Sequence, residues 1–546
     1  MKKKFVPRSV GVHPMLKNLV DIPTKINKAF ELHNSGQLQQ AKDVYLDILK
    51  QDPKNFSALL YLGSAEADLQ NWQSAYESLS HALLVKPDDP VALNLRANVL
   101  RDCGKYELAL VDATKAFYEA PNSIEVATNL SAIHFCLNDF DTALTYAKKA
   151  VEIDPKDVNG YLNWGNALKE LGDTHGALDK FKKCTELRET AHAAWCNIGT
   201  CYKDLYELES SIDSYTTAIK HAPSEGMLYY NRALVRLLHG DYENGWRDHE
   251  FRWVYKGFGG QALGDVVHSW KGDMNLVGRS IMVWYEQGLG DTIQFARYCK
   301  LLKDRGAEKI YFWVQAPIKE IMQTLPFVDE VITEQGDVKT DYTISLMALP
   351  FELGTTMDTI PNFGNYITAN SMKSAAWAER LGPRTRLRVG LVWSGGLRLD
   401  QPNVWTTNQR RNTKLHLFKK FNNLNVEFYS LQKGNPGEQE LKLFEQANWG
   451  GPKIHNFVDE LHTFEDTAAL IDNLDLVISV DTSTAHLAAA MGKPTWILNR
   501  WDTCWRWFLH REDSPWYDTV RLFRQPEAND WESVLHNVYT ELANLQ

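Results

Sequence analysis

From residue 22 to about 255 the apolar positions follow helical spacing in a frame that recurs every 34 residues. Pro53, Pro87, Pro121, Pro155 and Pro223 stand 34, 34, 34 and 68 residues apart. Small residues keep the same frame at Ala41, Ala75, Ala109, Ala143, Ala177 and Ser211, and again seven positions later at Ala82, Ala116, Ala150 and Ala218. Gly36, Gly104, Gly172 and Gly240 mark the turn inside a helix pair. A fixed period of this length predicts stacked helix pairs, because two amphipathic helices cannot bury their apolar face without a neighbour. Seven units are expected, starting near residues 22, 56, 90, 124, 158, 192 and 226.

The pattern changes after Trp253. The stretch YKGFGGQALGDVVHSWKGDMNLVG is glycine-rich and lacks helical periodicity, so 256–276 reads as a linker or a set of docking loops. From 277, short apolar runs alternate with helical segments, which predicts parallel sheets covered by helices. The first block offers strands at 281–285, 309–314, 328–333 and 341–346; the second offers 388–393, 426–431, 453–457, 474–480, 494–498 and 520–524. A helical span near 371–381 lies between them. The expected division is an N-terminal extension (1–21), repeats (22–255), linker (256–276) and two Rossmann-like halves (277–385 and 386–546) facing across a cleft.

Composition changes this picture little. At 546 residues, several substantial cores are expected, on a prior of roughly 150 residues per domain. A formal charge of −10 argues against nucleic-acid binding through bulk positive charge. The seven cysteines are scattered without a CxxC pair, which suggests neither a disulfide framework nor a zinc site, and no cofactor is expected. The basic start MKKKFVPRSVGVHPMLKNLV lacks a continuous apolar core, and no long apolar span follows. The expectation is a soluble protein of a reducing cytoplasm, without a membrane span.

Candidate chemistry sits just after two of the strands. In EQGLGDTIQF (286–295), Gly288 and Gly290 permit positive φ and close approach of a substrate. The loop fails as a dinucleotide fingerprint because Ile293 stands where the third glycine belongs. It delivers Asp291 to a helix entrance, where a carboxylate serves either as a helix cap or as a general base. In SVDTSTAHLAAA (479–490), Asp481, Thr482, Ser483, Thr484 and His486 gather at the start of an alanine-rich helix. Free amides and the helix dipole at such an end receive a phosphate, small hydroxyls add donors, and His486 adds another. A purely structural reading has Asp481 and Ser483 capping the helix, which leaves His486 and two hydroxyls unexplained. Trp501, Trp505 and Trp507, with Arg506, either line the cleft or belong to the core.

The helical half resembles the tetratricopeptide repeat. Its pattern W-x2-L-G-x2-Y is nearly spelled by Trp195, Ile198, Gly199 and Tyr202, with Tyr215 and Pro223 following. One polar column keeps the frame: Asn27, Asn129, Asn163, Asn197 and Asn231, with Tyr61 and Leu95 interrupting it. In proteins resembling this one that column faces the concave groove and holds an extended peptide, which suits an amide that donates and accepts at once. The alternative is a solvated asparagine with no such role.

The stretch SVDTSTAHLAAAMGKPTWIL is similar to the signature of glycosyltransferase family nine, the lipopolysaccharide heptosyltransferases. The order of the GLGDT loop, a GLVWSG strand, a basic segment and then this loop agrees with that family. The resemblance implies an all-α repeat superhelix followed by a GT-B pair of Rossmann-like domains, and an inverting transfer without a metal from a nucleotide-diphosphate sugar. It places the catalytic base at Asp291 and the diphosphate on Asp481, Thr482, Ser483, Thr484 and His486. In QRRNTKLHLF (409–418), aligned through Leu417 and Phe418, Arg411 falls where the family has a donor-binding cation, with Lys414 as second choice. Two departures stand out: Ser483 occupies a family glycine, and Asn412, Thr413 and Lys414 replace an S-I-P type sequence. The implied partners are the sugar nucleotide and a protein, peptide or glycan acceptor positioned by the repeats. The competing reading is a non-catalytic scaffold whose transferase domain is degenerate.

Overall fold

The computed structural model describes residues 14–255, 269–396 and 409–545. Most of the predicted 1–21 extension and of the 256–276 linker therefore lies outside the described residues. Helices run in seven pairs, from Pro14–Asn34 with Leu38–Gln51 to Gly226–His239 with Tyr242–His249. The chain divides into two compact units at His221 and Ala222. Among the described residues no helix is long and apolar enough to cross a membrane.

In the first unit the 34-residue frame is a packing frame. The small residues at 41, 75, 109, 143, 177 and 211, and at 82, 116, 150 and 218, are all fully buried, so neighbouring helices meet where a larger side chain would hold them apart. The frame also sets the helix starts. Asn55, Asp89, Ser123 and Asp157, each two residues after a framing proline, are N-caps whose side chains accept amides of the first turn. The turn inside each pair needs a left-handed residue. Gly36, Gly104 and Gly172 supply it in alternate units, while Gln70, Asn138 and Tyr206 take the same positive φ between them.

The second unit begins with the seventh helix pair and continues into two parallel sheets. All ten predicted strands are present: β1 (Ser280–Trp284), β2 (Lys309–Trp313), β3 (Glu330–Ile332), β4 (Tyr342–Ser345), β5 (Leu387–Val392), β6 (Val426–Ser430), β7 (Ile454–Asn456), β8 (Leu476–Val480), β9 (Thr495–Asn499) and β10 (Val520–Arg524). Their order is β3-β2-β1-β4 in the first sheet and β10-β9-β8-β5-β6-β7 in the second. This is the pair of Rossmann-like layers expected of a GT-B arrangement. All strand pairs are parallel, and in each sheet the strand order reverses once, between β1 and β4 and between β5 and β8; the crevices at such switch points receive ligands in open α/β sheets.

The seventh helix pair packs on these layers through aromatic side chains. Trp246 meets Trp505 edge to face at 5.3 Å and Phe295 at 6.1 Å, and Tyr242 stacks on Phe508 at 6.0 Å. Trp246, Trp505, Phe295 and Trp516 are buried. Ring area of this size removed from water ties the pair to the α/β layers.

Candidate functional site

The loops after β1 and β8 meet. The Leu289–Phe295 helix follows β1 with Gly288 as its N-cap, and the Ser483–Ala490 helix follows β8 with Thr482 as its N-cap. A Cβ built on Gly290 would stand 3.0 Å from His486 Cδ2 and 3.4 Å from Ser483 Cα, so the missing side chain lets the two helix starts touch. Neither glycine uses the positive φ it permits: Gly288 has φ −72°, and Gly290 lies inside the helix. Gly290 is needed for closeness rather than for backbone freedom.

Between these loops and the loop after β5 lies a cleft of about 500 Å³. Its walls include Gly288, Gly290 and Asp291 from one side, and Asp481, Thr482, Ser483, Thr484 and His486 from the other. Ser394, Gly395, Gly396, Arg411, Lys433 and Arg506 complete it. Of the two basic candidates, Arg411 lines the cleft. Lys414 is exposed at the start of the Leu415–Asn423 segment and does not.

Asp291 combines the two roles weighed for it. It sits at the third position of its helix, and its Oδ2 accepts the Gly288 N–H at 2.9 Å. Its Oδ1 accepts from Arg506 Nη2, while Arg506 Nε donates to Gln294 Oε1 at 2.7 Å and Nη1 to Cys504 Sγ at 3.3 Å. Burial opposes the Arg506 charge, yet the Asp291 carboxylate holds the guanidinium above its ordinary pKa. Arg506 is thus a fixed cation at the carboxylate. Its flanking Trp505 and Trp507 belong to the core.

The other helix start departs from the capping expected of Asp481 and Ser483. Thr482 caps instead: its Oγ1 accepts the Ala485 N–H at 3.4 Å and bonds Ser479 Oγ at 2.9 Å. Asp481 and Ser483 are left on the cleft wall. His486 is buried, stacks on Trp507 at 5.4 Å, shares a 2.9 Å hydrogen bond between Nδ1 and Tyr517 Oη, and places Nε2 3.7 Å from Asp481 Oδ1.

Burial pushes the His486 pKa down to about 4 from 6.5, so near pH 7 the imidazole is neutral and offers an N–H rather than a charge. The unfolded chain binds this proton first, so stability falls as pH drops from 6.5 toward 4. Between pH 7 and pH 5 the loss from this group is roughly 2 kcal/mol. Urea unfolding at the two pH values should show that difference shrink by about this amount in His486→Gln. An unchanged difference would sink the assignment.

The asparagine column lies outside this cleft. Asn129 is buried, its Nδ2 donating to Asn94 Oδ1 at 2.8 Å and its Oδ1 accepting from Arg101 at 2.8 Å. Asn163 Nδ2 donates to the Thr128 carbonyl at 3.0 Å, and Asn197 Nδ2 to Asn166 Oδ1 at 2.9 Å. These amides tie the first helix of one repeat to the first helix of the repeat before it. Asn27 is exposed, and Asn231 is half-buried in the seventh pair.

Two parts of the site were missed in the sequence as residues of the cleft. Lys433 follows β6, where a lone lysine in a Gly- and Pro-bearing turn carries no signal. Gly395 and Gly396 follow β5; the GLVWSG strand pointed to them, but its end was assigned no role.

Family models match segments of both halves. Tetratricopeptide repeat models match residues 32–99, 124–157 and 192–225. The model of glycosyltransferase family 9 (heptosyltransferase) matches residues 454–498, which run from β7 through the Asp481–His486 loop to β9. Protein FlbA of Caulobacter vibrioides is 26% identical over 560 residues, spanning 96% of this chain and 90% of that protein. Tetratricopeptide repeat protein 13 of Homo sapiens is 27% identical over 131 residues, 23% of this chain and 15% of its own length. The crystal structure of a tetratricopeptide repeat protein from Parabacteroides merdae aligns at 18% identity with a TM-score of 0.38, covering 43% of this chain and 93% of that one.

Proposed function

We propose that this chain, a tetratricopeptide-repeat protein with a C-terminal segment of glycosyltransferase family 9, transfers a sugar from a nucleotide-diphosphate donor to a hydroxyl acceptor, inverting the anomeric carbon. The observation that carries this reading is the juxtaposition of Asp291 with the Ser483–Ala490 helix start across one cleft. A base and an anion-receiving helix end must face each other if a hydroxyl is to attack one side of the anomeric carbon while a diphosphate leaves from the other.

In this reading Asp291 takes the acceptor proton as the new C–O bond forms and the bond to the diphosphate oxygen breaks. The departing charge meets the amides of Ser483 and Thr484, their hydroxyls, the neutral His486 N–H, and the cations Arg411, Lys433 and Arg506. Asp481 cannot face a phosphate without repulsion, so it accepts from donor hydroxyls. The N-terminal half takes the acceptor side, and the repeats bring a protein, peptide or glycan acceptor to it. Three cations and two carboxylates line the cleft and Asp291 is already paired with Arg506, so amides and hydroxyls of the Ser483–Ala490 helix start must carry part of the departing charge.

The test is a thermal-shift screen of ADP, GDP, UDP and CDP, free and as sugar conjugates. Binding at 100 times the dissociation constant should raise stability by about 2.7 kcal/mol. A clear rise with one nucleotide and none with the others identifies the donor class. No response to any of them would support the scaffold reading.

A further inference from the structure

Arg252 lies outside the cleft, in the turn that ends the seventh helix pair, and its side chain is fully buried. Its Nε and Nη2 donate to the two carboxylate oxygens of Glu286 at 2.8 and 3.0 Å, and Glu286 is fully buried as well. Burying two charges is tolerated only where the pair is bidentate and the remaining lone pairs are served. Here they are served: Glu286 Oε1 also accepts the Met347 N–H at 3.0 Å and the Ser345 hydroxyl. Arg252 Nη1 reaches the His249 carbonyl at 3.0 Å and also meets a second carboxylate, Glu250 Oε1, at 2.5 Å.

What makes this pair more than a core contact is its address. Glu286 follows β1 by two residues and precedes Gly288 by two, and the Gly288 N–H is the group that holds Asp291 Oδ2. The intervening Gln287 carbonyl accepts from Gln315 Nε2 at 2.8 Å, and Gln315 Oε1 accepts from Thr292 Oγ1 at 2.9 Å, so the loop is braced again on its far side. One of its braces therefore comes from the repeats.

We propose that Arg252 is a positioning residue of the transferase site: through its buried pair with Glu286, the seventh helix pair holds the turn Glu286–Gly288 and with it the direction of the Asp291 carboxylate. The same helix pair also braces the other partner of Asp291, since Trp246 packs on Trp505 next to Arg506. The last repeat is then part of the transferase centre rather than a spacer before it. This inference rests on Asp291 being the base.

The experiment is amide hydrogen exchange on the full-length chain, comparing wild type with Arg252→Met, Arg252→Lys and Arg232→Met. Arg232 is the internal control: it forms a bidentate pair with Asp248 at 2.7 and 2.9 Å that closes inside the same helix pair. Arg252→Met should speed exchange at Gly288–Thr292 by about tenfold or more, with Ala485–Ala490 within about twofold of wild type. Arg252→Lys, which keeps a charge opposite Glu286 but not the fork, should restore part of the protection. Arg232→Met should loosen the helix pair without this selective effect on the loop.

The proposal is overturned if Arg252→Met speeds exchange evenly across the second unit, if it leaves Gly288–Thr292 protected, or if Arg232→Met reproduces the loop effect. Its failure is distinct from failure of the transferase reading. A chain that answers no nucleoside diphosphate but shows selective loosening keeps Arg252 as the brace and loses the enzyme. Even exchange with an intact nucleotide response does the reverse.

Discussion

Replacing Asp291 with asparagine should lower turnover by about a hundredfold to ten-thousandfold, the contribution expected of a positioned general base, while nucleoside diphosphate binding persists. The substitution keeps the shape but removes the proton acceptor. It also costs stability, because the carboxylate serves two donors: Gly288 N–H on Oδ2 and Arg506 on Oδ1. An amide offers one oxygen and one NH2, so one donor faces another, a penalty of about 1–3 kcal/mol. Turnover should therefore be compared at a temperature where both proteins are folded, with nucleotide binding measured on the same samples. Unchanged turnover would remove Asp291 from the chemistry, and loss of binding equal to the loss of turnover would move it from base to donor contact.

The strands of the second unit were legible because a parallel sheet covered on both faces turns each strand into an apolar run, and ten such runs stand between polar breaks. The repeats were legible because close packing demands small residues at fixed intervals, and the sequence repeats where the packing does. The loops after β1 and β8 were legible for a related reason: five polar side chains in the six positions 481–486 have no place in a core.

What was hidden depends on distance along the chain. Arg506 reaches Asp291 across 215 residues, and between Trp505 and Trp507 it reads equally well as core or cleft. The local sequence contains the residue but not its partner. The seventh helix pair keeps the repeat frame at Gly240, yet it packs into the second unit because Tyr242, Trp246 and Arg252 find partners there. Periodicity reports how a repeat meets its neighbours in sequence and is silent about a surface from elsewhere. The Asn column shows the converse: the spacing is real, and Asn129, Asn163 and Asn197 spend amide protons on neighbouring repeats, a use that produces the same period.

The second large effect is expected at Arg506. Lysine there keeps the charge but not the fork: the guanidinium serves Asp291, Gln294 and Cys504 from three nitrogens, and an ammonium at the end of a flexible stem cannot hold all three. If Arg506 meets the diphosphate as it leaves, Arg506→Lys should lower turnover by about a hundredfold to a thousandfold, the loss seen when one preorganised donor is taken from a developing negative charge. Arg506→Met goes further, because it leaves Asp291 without its counterion. Breaking a buried pair costs about 3–5 kcal/mol, and the quarter of the Asp291 side chain still exposed puts this case at the lower end. The two roles of Arg506 separate in the nucleotide titration. A residue that only orients Asp291 would lower turnover and leave nucleoside diphosphate affinity alone, whereas one that also meets the leaving group must weaken both. The second result is expected, since Arg506 lines the same cleft as Ser483 and Thr484. Unchanged affinity in Arg506→Lys would leave Arg411 and Lys433 to carry the diphosphate charge.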